Sequence, residues 1–398
     1  MSRPLHLAVA LDGTGWHPAA WREPAARPDE LFTARYWVDV VQEAERGLLD
    51  LVTIEDSLGL QSSHYGRPDR RTDQVRGRLD AVLVASRVAP TTTHVGLVPT
   101  VVVTHTEPFH ISKAIATLDY VSTGRAGVRV QMSGGAHEAA HFGRRSIPAI
   151  PAPDRAEPGV EQVVGDLLDE AADYVEVVRR LWDSWEDDAE IRDAATGRFV
   201  DREKLHYIDF EGRWFSVKGP SITPRPPQGQ PIVSLLAHAT PSYRLAARSA
   251  DLVYVTPHNA GQARAIVDEI RHEQGLAGRG EAPLHVFGDL VVFLDDDAAS
   301  AVERRARLDH RAGAGYDSDA RIFAGTPAQL ADLLQELQAE GLSGYRLRPG
   351  SITHDLEQIT RRLVPQLQRR AAFRREYKAD TLRDLLGLTR PANRYATA

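Results

Sequence analysis

The chain has 398 residues, of which 42% are hydrophobic and 26% charged, and its net charge is −7 with a pI of about 6.1. This composition is ordinary for a globular protein, and the acidic balance argues against the basic surface of a nucleic-acid-binding protein. The absence of cysteine excludes disulfides, thiolate metal sites and cysteine nucleophiles. No apolar run reaches the roughly 20 residues that span a bilayer, so we expect no membrane association. The first ten residues lack the pattern of an export signal, so we expect a cytoplasmic protein.

Short apolar strands alternate with helices in the first third of the chain. One helix has Pro108 in its first turn and apolar residues at Ile111, Ile115 and Leu118, and a glycine turn separates it from the next strand. The predicted strands of this part are 5–11, 51–54, 93–98 and 126–131, and the predicted helices are 29–46, 79–88 and 106–118.

This alternation stops at about residue 134 and resumes at about residue 231. The intervening segment contains proline-rich pieces and one strong helix over 161–185. Because it is much longer than an ordinary connection, we interpret it as an insertion. Beyond it, the predicted strands are 231–236, 252–255, 285–294 and 345–347, and the predicted helices are 241–249, 260–274, 326–340 and 355–378.

About eight strands that alternate with helices predict an α/β fold of the (β/α)8 TIM-barrel type, with a large insertion after strand 4 and a long C-terminal helix. We expect residues 1–398 to form a single barrel domain with the insertion at about 134–230. A doubly wound open sheet is the alternative, but no strand is followed by the G-x-G-x-x-G phosphate-binding motif. In barrels the chemistry takes place at the carboxyl ends of the strands.

Polar side chains occur at those predicted strand ends. In the fourth strand Arg129, Gln131 and Ser133 alternate with apolar residues, so they share the face that points into a barrel. Buried polar groups need partners, and a bound ligand is one possible partner. The residues expected to line the mouth of the barrel are Asp12, Glu55, Asp56, Thr100, Thr104, His105, Ser133, His238, His258 and Arg348.

Glu55 and Asp56 follow the second strand and are candidates for ligand binding or acid–base chemistry. Adjacent residues of an extended chain point in opposite directions, so we expect at most one of the two to face the site. Helix capping by Asp56 is the structural alternative.

His238 follows the fifth predicted strand and directly precedes a helix. Helix N-termini favour anions, the flanking Ala237 and Ala239 are small, and Thr240 is a candidate N-cap, so the segment suits a phosphate group. A solvated loop histidine is the alternative. The other histidines lack the spacing of metal ligands, and we expect no metal site.

Several motifs, in one order along nearly the whole chain, resemble the bacterial luciferase-like superfamily, specifically the nitrilotriacetate and dibenzothiophene-sulfone monooxygenase group. The motifs are WREP at 21–24, AERG at 44–47, EPF at 107–109, LD at 118–119, GRAG at 124–127, LWDSW at 181–185, EGRWFSVKGP at 211–220, PPQGQP at 226–231, and TLR at 381–383 with RP at 390–391.

This resemblance implies a two-component flavin-dependent monooxygenase. Such an enzyme receives reduced FMN from a separate NADH-dependent flavin reductase and uses O2 to oxygenate a small organic substrate. Members of the group are usually homo-oligomers. A deazaflavin-dependent oxidoreductase of the same superfamily, or a non-catalytic barrel that has lost flavin binding, are the alternatives.

The resemblance also assigns candidate residues to the cofactor. Asp56 matches the aspartate after strand two, whereas the usual Ser/Thr positions after strand three hold Val102 and Val103, with Thr104 next. The usual Trp-Asn pair of strand four is replaced by Val128-Arg129, and the Gly-Ser-Ser phosphate turn by Ala237-His238-Ala239. The implied cofactor-binding residues are Asp56, Val102, Thr104, Arg129, Ser133, His238, Ala239 and Thr240.

Three histidines are candidates for substrate contact or proton transfer, because histidine titrates near neutral pH. They are His17, His105 and His258.

Overall fold

A computed structural model describes residues 4–62, 68–148, 150 and 159–396, and in it eight parallel strands close into a barrel. The strands in chain order are β1 (His6–Leu11), β2 (Leu51–Ile54), β3 (Gly96–Val102), β4 (Gly127–Gln131), β5 (Glu190–Asp193), β6 (Arg198–Val200), β7 (Phe210–Glu211), β8 (Ser216–Val217), β9 (Ile232–Leu236), β10 (Leu252–Val255), β11 (His285–Leu294), β12 (Arg321–Gly325) and β13 (Gly344–Pro349). The barrel order is β1–β2–β3–β4–β9–β10–β11–β13, and β13 pairs with β1. The prediction of a (β/α)8 barrel is confirmed.

Helices surround this barrel. They are α1 (Ala34–Arg46), α2 (Ala81–Val88), α3 (Pro108–Val121), α4 (Ala136–Phe142), α5 (Val160–Asp183), α6 (Thr240–Ser249), α7 (Ala260–Leu276), α8 (Ala298–Ala312), α9 (Pro327–Gln338), α10 (Ile352–Gln358), α11 (Val364–Arg369) and α12 (Leu382–Leu385). Across the described ranges, no helix is both long and apolar enough to cross a bilayer.

Strand β11 changes its neighbour halfway along its length. Its first residues pair with β10, up to Val255 opposite Gly288, and from Leu290 onwards the same edge pairs with β12. The barrel wall therefore forks near Asp289, and β12 forms an additional strand on the side of the carboxyl ends.

The two ends of the barrel interior differ in polarity. At the amino ends of the strands, Leu51, Val98 and Phe287 form a buried apolar layer with Leu382 of α12, which closes this end. Gly96 is required in this layer, because a Cβ there would lie 2.6 Å from a methyl carbon of Leu382. Charged side chains occupy the interior nearer the carboxyl ends.

The insertion between β4 and β9 packs along one side of the barrel. Its long helix α5 is anchored to α3 by the Trp182 indole, which donates a hydrogen bond of 3.0 Å to the Ser112 carbonyl. The short pairs β5–β6 and β7–β8 are antiparallel and belong to the same insertion.

The structure differs from the predicted elements in several places, and helix α1 begins at Ala34 rather than at 29. Strand β3 lies over Gly96–Val102 rather than 93–98, so Thr100 is inside the strand and Pro99 is tolerated within it. Helix α8 and strand β12 were not predicted at all. The C-terminal helix ends at Arg369 rather than 378, and it contains a π-turn over Ile359–Leu363 directly before Pro365, where the missing proline N–H interrupts regular helical bonding.

Candidate active site

A buried network of ion pairs fills the barrel interior below its mouth. Asp289 of β11 accepts hydrogen bonds from two arginines of β13: Arg346 Nε lies 2.9 Å from Oδ1 and Arg348 Nε lies 2.9 Å from Oδ2. All three side chains are at most 1% exposed. Burial alone would raise the pKa of Asp289, but Arg346 and Arg348 outweigh burial and lower it.

Glu55 continues this network from β13 to β4. Its Oε1 lies 3.1 Å from Arg346 Nη1, and its Oε2 lies 3.1 Å from Arg129 Nη1. Burial alone would raise the pKa of Glu55, but the two guanidinium groups outweigh it and lower the pKa. The prediction that Arg129 points into the barrel is confirmed.

Arg129 has an incomplete set of hydrogen bonds. Its Nη1 donates to Gln131 Oε1 at 2.7 Å and to Thr100 Oγ1 at 3.2 Å. Its Nε is buried and has no partner among the described residues. Burial lowers the pKa of Arg129, whereas Glu55 opposes this shift.

Asp56 points away from Glu55, as expected of adjacent residues. Its Oδ1 accepts from the Ser57 N–H at 2.8 Å, and its Oδ2 accepts from the Ala81 N–H at 3.0 Å, at the start of α2. The side chain therefore binds backbone groups, but no helix begins at Ser57, and the N-cap of α2 is Asp80, so the expected helix capping by Asp56 is wrong. Burial raises the pKa of Asp56, although these backbone hydrogen bonds oppose the shift. The Asp56 carbonyl accepts from the Gln131 amide at 3.3 Å.

The ends of β3 and β4 are joined by short polar contacts. Thr104 Oγ1 accepts from the Ser133 N–H at 3.0 Å, and the Ser133 hydroxyl donates to the Glu138 carboxylate. Val102 is buried at the end of β3. Thr104 and Ser133 thus lie together at the mouth of the barrel.

Around the start of α6, one side chain already occupies two backbone donors. The N–H groups of His238 and Ala239 donate to Ser242 Oγ at 3.1 and 3.2 Å. The N-cap is Ala239, not Thr240, which is the first helical residue and whose hydroxyl donates to Glu269. An anion at this helix start would have to displace Ser242 or use other donors.

The His238 side chain is exposed at this helix start. Its Nδ1 lies 3.1 Å from Thr256 Oγ1, and its Nε2 lies 3.5 Å from Asp319 Oδ2. Asp319 also forms an ion pair with Arg348 at 2.6 Å, and although burial opposes it, Arg348 lowers the pKa of Asp319 to about 2. Burial lowers the pKa of His238, and Asp319 opposes this shift.

A cleft of about 480 Å³ opens beside the end of β1, and we call it the β1 cleft. Its lining residues include Asp12, Trp16, His17, Gln61, Arg71 and Tyr316. Burial raises the pKa of Asp12, although Arg78, 3.5 Å away, opposes this shift.

His17 in this cleft is held in one orientation. Its Nδ1 accepts from the Ala19 N–H at 3.1 Å, so its Nε2 carries the proton that is donated to Asp309 at 3.0 Å. Burial lowers the pKa of His17, although Asp309 opposes the shift, so the neutral form is favoured at neutral pH.

A second cleft, of about 580 Å³, lies between α3 and α5 and is called the α3–α5 cleft. His105 lines it, stacks on Phe142 with ring centroids 5.1 Å apart, and has a buried Nε2 without a partner in the described ranges. Burial lowers the pKa of His105, and Arg145 contributes to the shift.

The three candidate histidines do not lie at one place. His17 belongs to the β1 cleft and His105 to the α3–α5 cleft, while His258 is exposed after β10. The described part of the chain contains no group of three or more His, Asp or Glu side chains placed to hold a metal ion.

The sequence-based set of site residues omitted Asp289, Arg346 and Asp319. Two of them carry a recognisable signal: Arg346 alternates with Arg348 in a strand, and Asp289 is the one carboxylate in an otherwise apolar strand. A charged residue within a buried barrel strand points inward when its neighbours pack against helices. Asp319 carries no such signal, because it lies in a loop before β12.

Comparisons with known proteins agree along nearly the whole chain. Residues 14–347 match the sequence profile of the luciferase-like monooxygenases. The chain is 30% identical to N-acetyl-S-(2-succino)cysteine monooxygenase of Bacillus subtilis and 29% identical to nitrilotriacetate monooxygenase component A of Aminobacter aminovorans, with 99% of each chain covered in both cases.

Solved structures give the same architecture. A riboflavin lyase structure with modified FMN and riboflavin superposes with a TM-score of 0.82 at 25% identity, covering 98% of both chains. The EDTA monooxygenase from Chelativorans sp. BNC1 superposes with a TM-score of 0.81 at 22% identity, covering 98% of this chain and 99% of that one.

Proposed function

Since the chain belongs to the luciferase-like monooxygenase family, we propose that it is the oxygenase component of a two-component flavin-dependent monooxygenase. It would receive reduced FMN from a separate NADH-dependent flavin reductase and oxygenate a small organic substrate with O2. The observation that carries this proposal is the family match, which extends over both the barrel and its insertion. Homo-oligomerisation and a cytoplasmic location are further parts of the proposal.

The polar groups at the barrel mouth fit a flavin ring system. The reduced ring has two carbonyl acceptors and N–H donors at N3 and N5. The mouth presents the Thr104 hydroxyl, the Gln131 amide and the Arg129 guanidinium, whose buried Nε has no partner among the described residues. We propose that these three, with Val102 and Ser133 beside them, contact the flavin. A bound flavin supplies the electrons that activate O2.

The phosphate of FMN would bind near the start of α6. The His238 imidazole, half exposed beside this helix, is the donor available to a phosphate, and Thr240 and the N–H of Ala239 lie next to it. The partial positive charge of the helix N-terminus adds to the attraction. Asp56 would act on the flavin site only indirectly, because its carboxylate positions the start of α2 and its backbone carbonyl positions the Gln131 amide.

The β1 cleft is the proposed substrate compartment. It adjoins Asp12 at the carboxyl end of β1, where a barrel enzyme places its chemistry. Its walls combine the Trp16 and Tyr316 rings with polar groups, which suits a small organic molecule with both apolar and polar parts. Both ring nitrogens of His17 have protein partners, so His17 would support the wall of this cleft, while substrate contact or proton transfer by His105 and His258 stays a prediction.

Anaerobic titration with photoreduced FMN tests the proposal. We expect saturable binding, followed by a reaction with O2 whose rate differs from that of free reduced FMN. Absence of binding at high micromolar reduced FMN would contradict the proposal.

Competition between FMN and a deazaflavin in equilibrium dialysis tests the alternative cofactor. We expect FMN to displace the deazaflavin.

Thermal unfolding in the presence of each flavin tests the non-catalytic alternative, because a ligand at 100 times its Kd stabilises the native state by about 2.7 kcal/mol. An unchanged melting temperature with every flavin would favour a barrel without cofactor.

A further inference from the structure

We propose that Arg129 makes this barrel select reduced over oxidised flavin, by placing a buried positive charge against the part of the ring that becomes negative on reduction. The inference rests on the proposed flavin-dependent function. It concerns a residue that stands where the resembling family has another side chain.

The guanidinium of Arg129 lies at the level of the strand carboxyl ends, although its Cα lies in the middle of β4. This position follows from its two partners: Glu55 is the first residue after β2, and Gln131 is the last residue of β4. Gln131 in turn reaches the Asp56 carbonyl after β2. Arg129 is therefore the arginine of the network that contacts the end of β4, where the barrel opens.

Its hydrogen-bonding capacity is only partly used. Its contacts to Glu55, Gln131 and Thr100 are all made by Nη1, while among the described residues the Nε is buried without a partner. Leaving a buried charged donor unpaired is costly, so the arrangement favours a ligand acceptor at this point.

Arg129 shares its one carboxylate partner, because Glu55 lies 3.1 Å from both Arg129 and Arg346. Three arginines, Arg129, Arg346 and Arg348, face two buried carboxylates, Glu55 and Asp289. The third carboxylate of the network, Asp319, is 40% exposed and pairs with Arg348, on the other side of the mouth.

Asp12 also interacts with Arg129, but its nearest cation is Arg78, 3.5 Å away. The neutral ring of oxidised flavin gains little from such a field. Reduced flavin carries negative charge at N1 near neutral pH and gains a charge-assisted hydrogen bond.

The test compares dissociation constants for oxidised and for anaerobically reduced FMN in the wild-type protein, Arg129→Gln and Arg129→Lys. We expect the wild type to bind reduced FMN at least about tenfold more tightly than oxidised FMN, the size of one charge-assisted hydrogen bond. Arg129→Gln should lower this ratio about tenfold, which corresponds to a decrease of about 30 mV in the two-electron potential of the bound flavin. Arg129→Lys retains the charge and should retain most of the ratio.

The outcomes separate the two proposals. Equal weakening of both redox forms in Arg129→Gln would mean that Arg129 only supports the fold, and this overturns the inference alone. A wild type that binds both forms equally also overturns it, even if Arg129→Gln does not fold. Absence of binding of either form overturns the proposed function as well.

Discussion

His238 lies at the boundary between the barrel interior and solvent, so its role can be tested with little cost in stability. Its side chain is 49% exposed and adjoins the start of α6. The buried arginines below it are less suitable, because removing one partner of a buried ion pair costs about 3–5 kcal/mol.

We expect His238→Ala to weaken FMN binding about tenfold, the worth of one hydrogen bond to a charged group, and to leave riboflavin binding nearly unchanged. The reason is that only FMN has the phosphate. Equilibrium titrations of both ligands measure the difference. His272→Ala, a change at an exposed histidine on α7, is the matched control. Equal losses for the two ligands would show that His238 does not contact the phosphate.

At single residues, the sequence predicted the direction of a side chain better than it predicted the groups that the side chain contacts. The inward direction of Arg129 and the opposite directions of Glu55 and Asp56 follow from strand geometry alone. That Glu55 bridges two arginines depends on the neighbouring strands in the closed barrel, and that Ser242 takes the N–H of Ala239 depends on local backbone conformation. Neither relation is encoded in residue spacing.

The short helix α12 closes the end of the barrel opposite the candidate site. Leu382 is fully buried in the apolar layer there, and its N–H donates to the Gly124 carbonyl at 2.9 Å. The amino end of a barrel contributes stability, whereas its carboxyl end carries the chemistry. We therefore interpret the packing of Leu382 as structural.

We expect Leu382→Ala to lower the free energy of unfolding by about 3 kcal/mol through a cavity in this layer, without changing flavin affinity. Urea denaturation monitored by circular dichroism measures the first quantity. Leu276→Ala at the end of α7, where the leucine is 68% exposed, should change stability by no more than about 0.5 kcal/mol. A loss of flavin affinity in Leu382→Ala would contradict the separation of the two ends.

Elements with strong local patterns were predicted well, and those stabilised by the barrel were not. β2, β10 and β11 have the predicted limits, because each is a mostly apolar run. Helix α8 was missed although Asp297 caps it and Ala301, Arg304 and Leu308 form its buried stripe. Strand β12 is only five residues long and mostly half-buried, and it is a strand because the edge of β11 is available to it.

Across the whole molecule, Asp251 joins the barrel, the insertion and the C-terminal segment. Its Oδ2 accepts from the Val233 N–H of β9 at 2.9 Å and pairs with Arg179 of α5 at 2.8 Å. Its Oδ1 lies 3.4 Å from Arg383 of α12. Burial alone would raise the pKa of Asp251, but Arg179 and Arg383 outweigh it and lower the pKa to about 2.

A lowered carboxyl pKa stabilises the native state above the unfolded-state pKa, and this contribution is lost as the pH falls towards the native value. Because the pKa of Asp251 falls from its ordinary value of 3.8 to about 2 in the native state, its ionised carboxylate contributes about 2 kcal/mol to stability at neutral pH. We expect the stability difference between wild type and Asp251→Asn to shrink by about 1 kcal/mol between about pH 5 and pH 3. Urea denaturation at each pH measures it, and a constant difference would contradict the assigned pKa.

The fork of the barrel wall at β11 has a consequence for how this scaffold diversifies. Beyond Asp289, the wall of the mouth on this side is built from β12 and the loop before it, which also supplies Tyr316 to the β1 cleft. The strand β12 and the loop before it are added to a ring of eight strands that closes without them. The segment between α8 and β12 can therefore change in length or composition, and so change which molecules enter the β1 cleft, while the ring of eight strands stays closed.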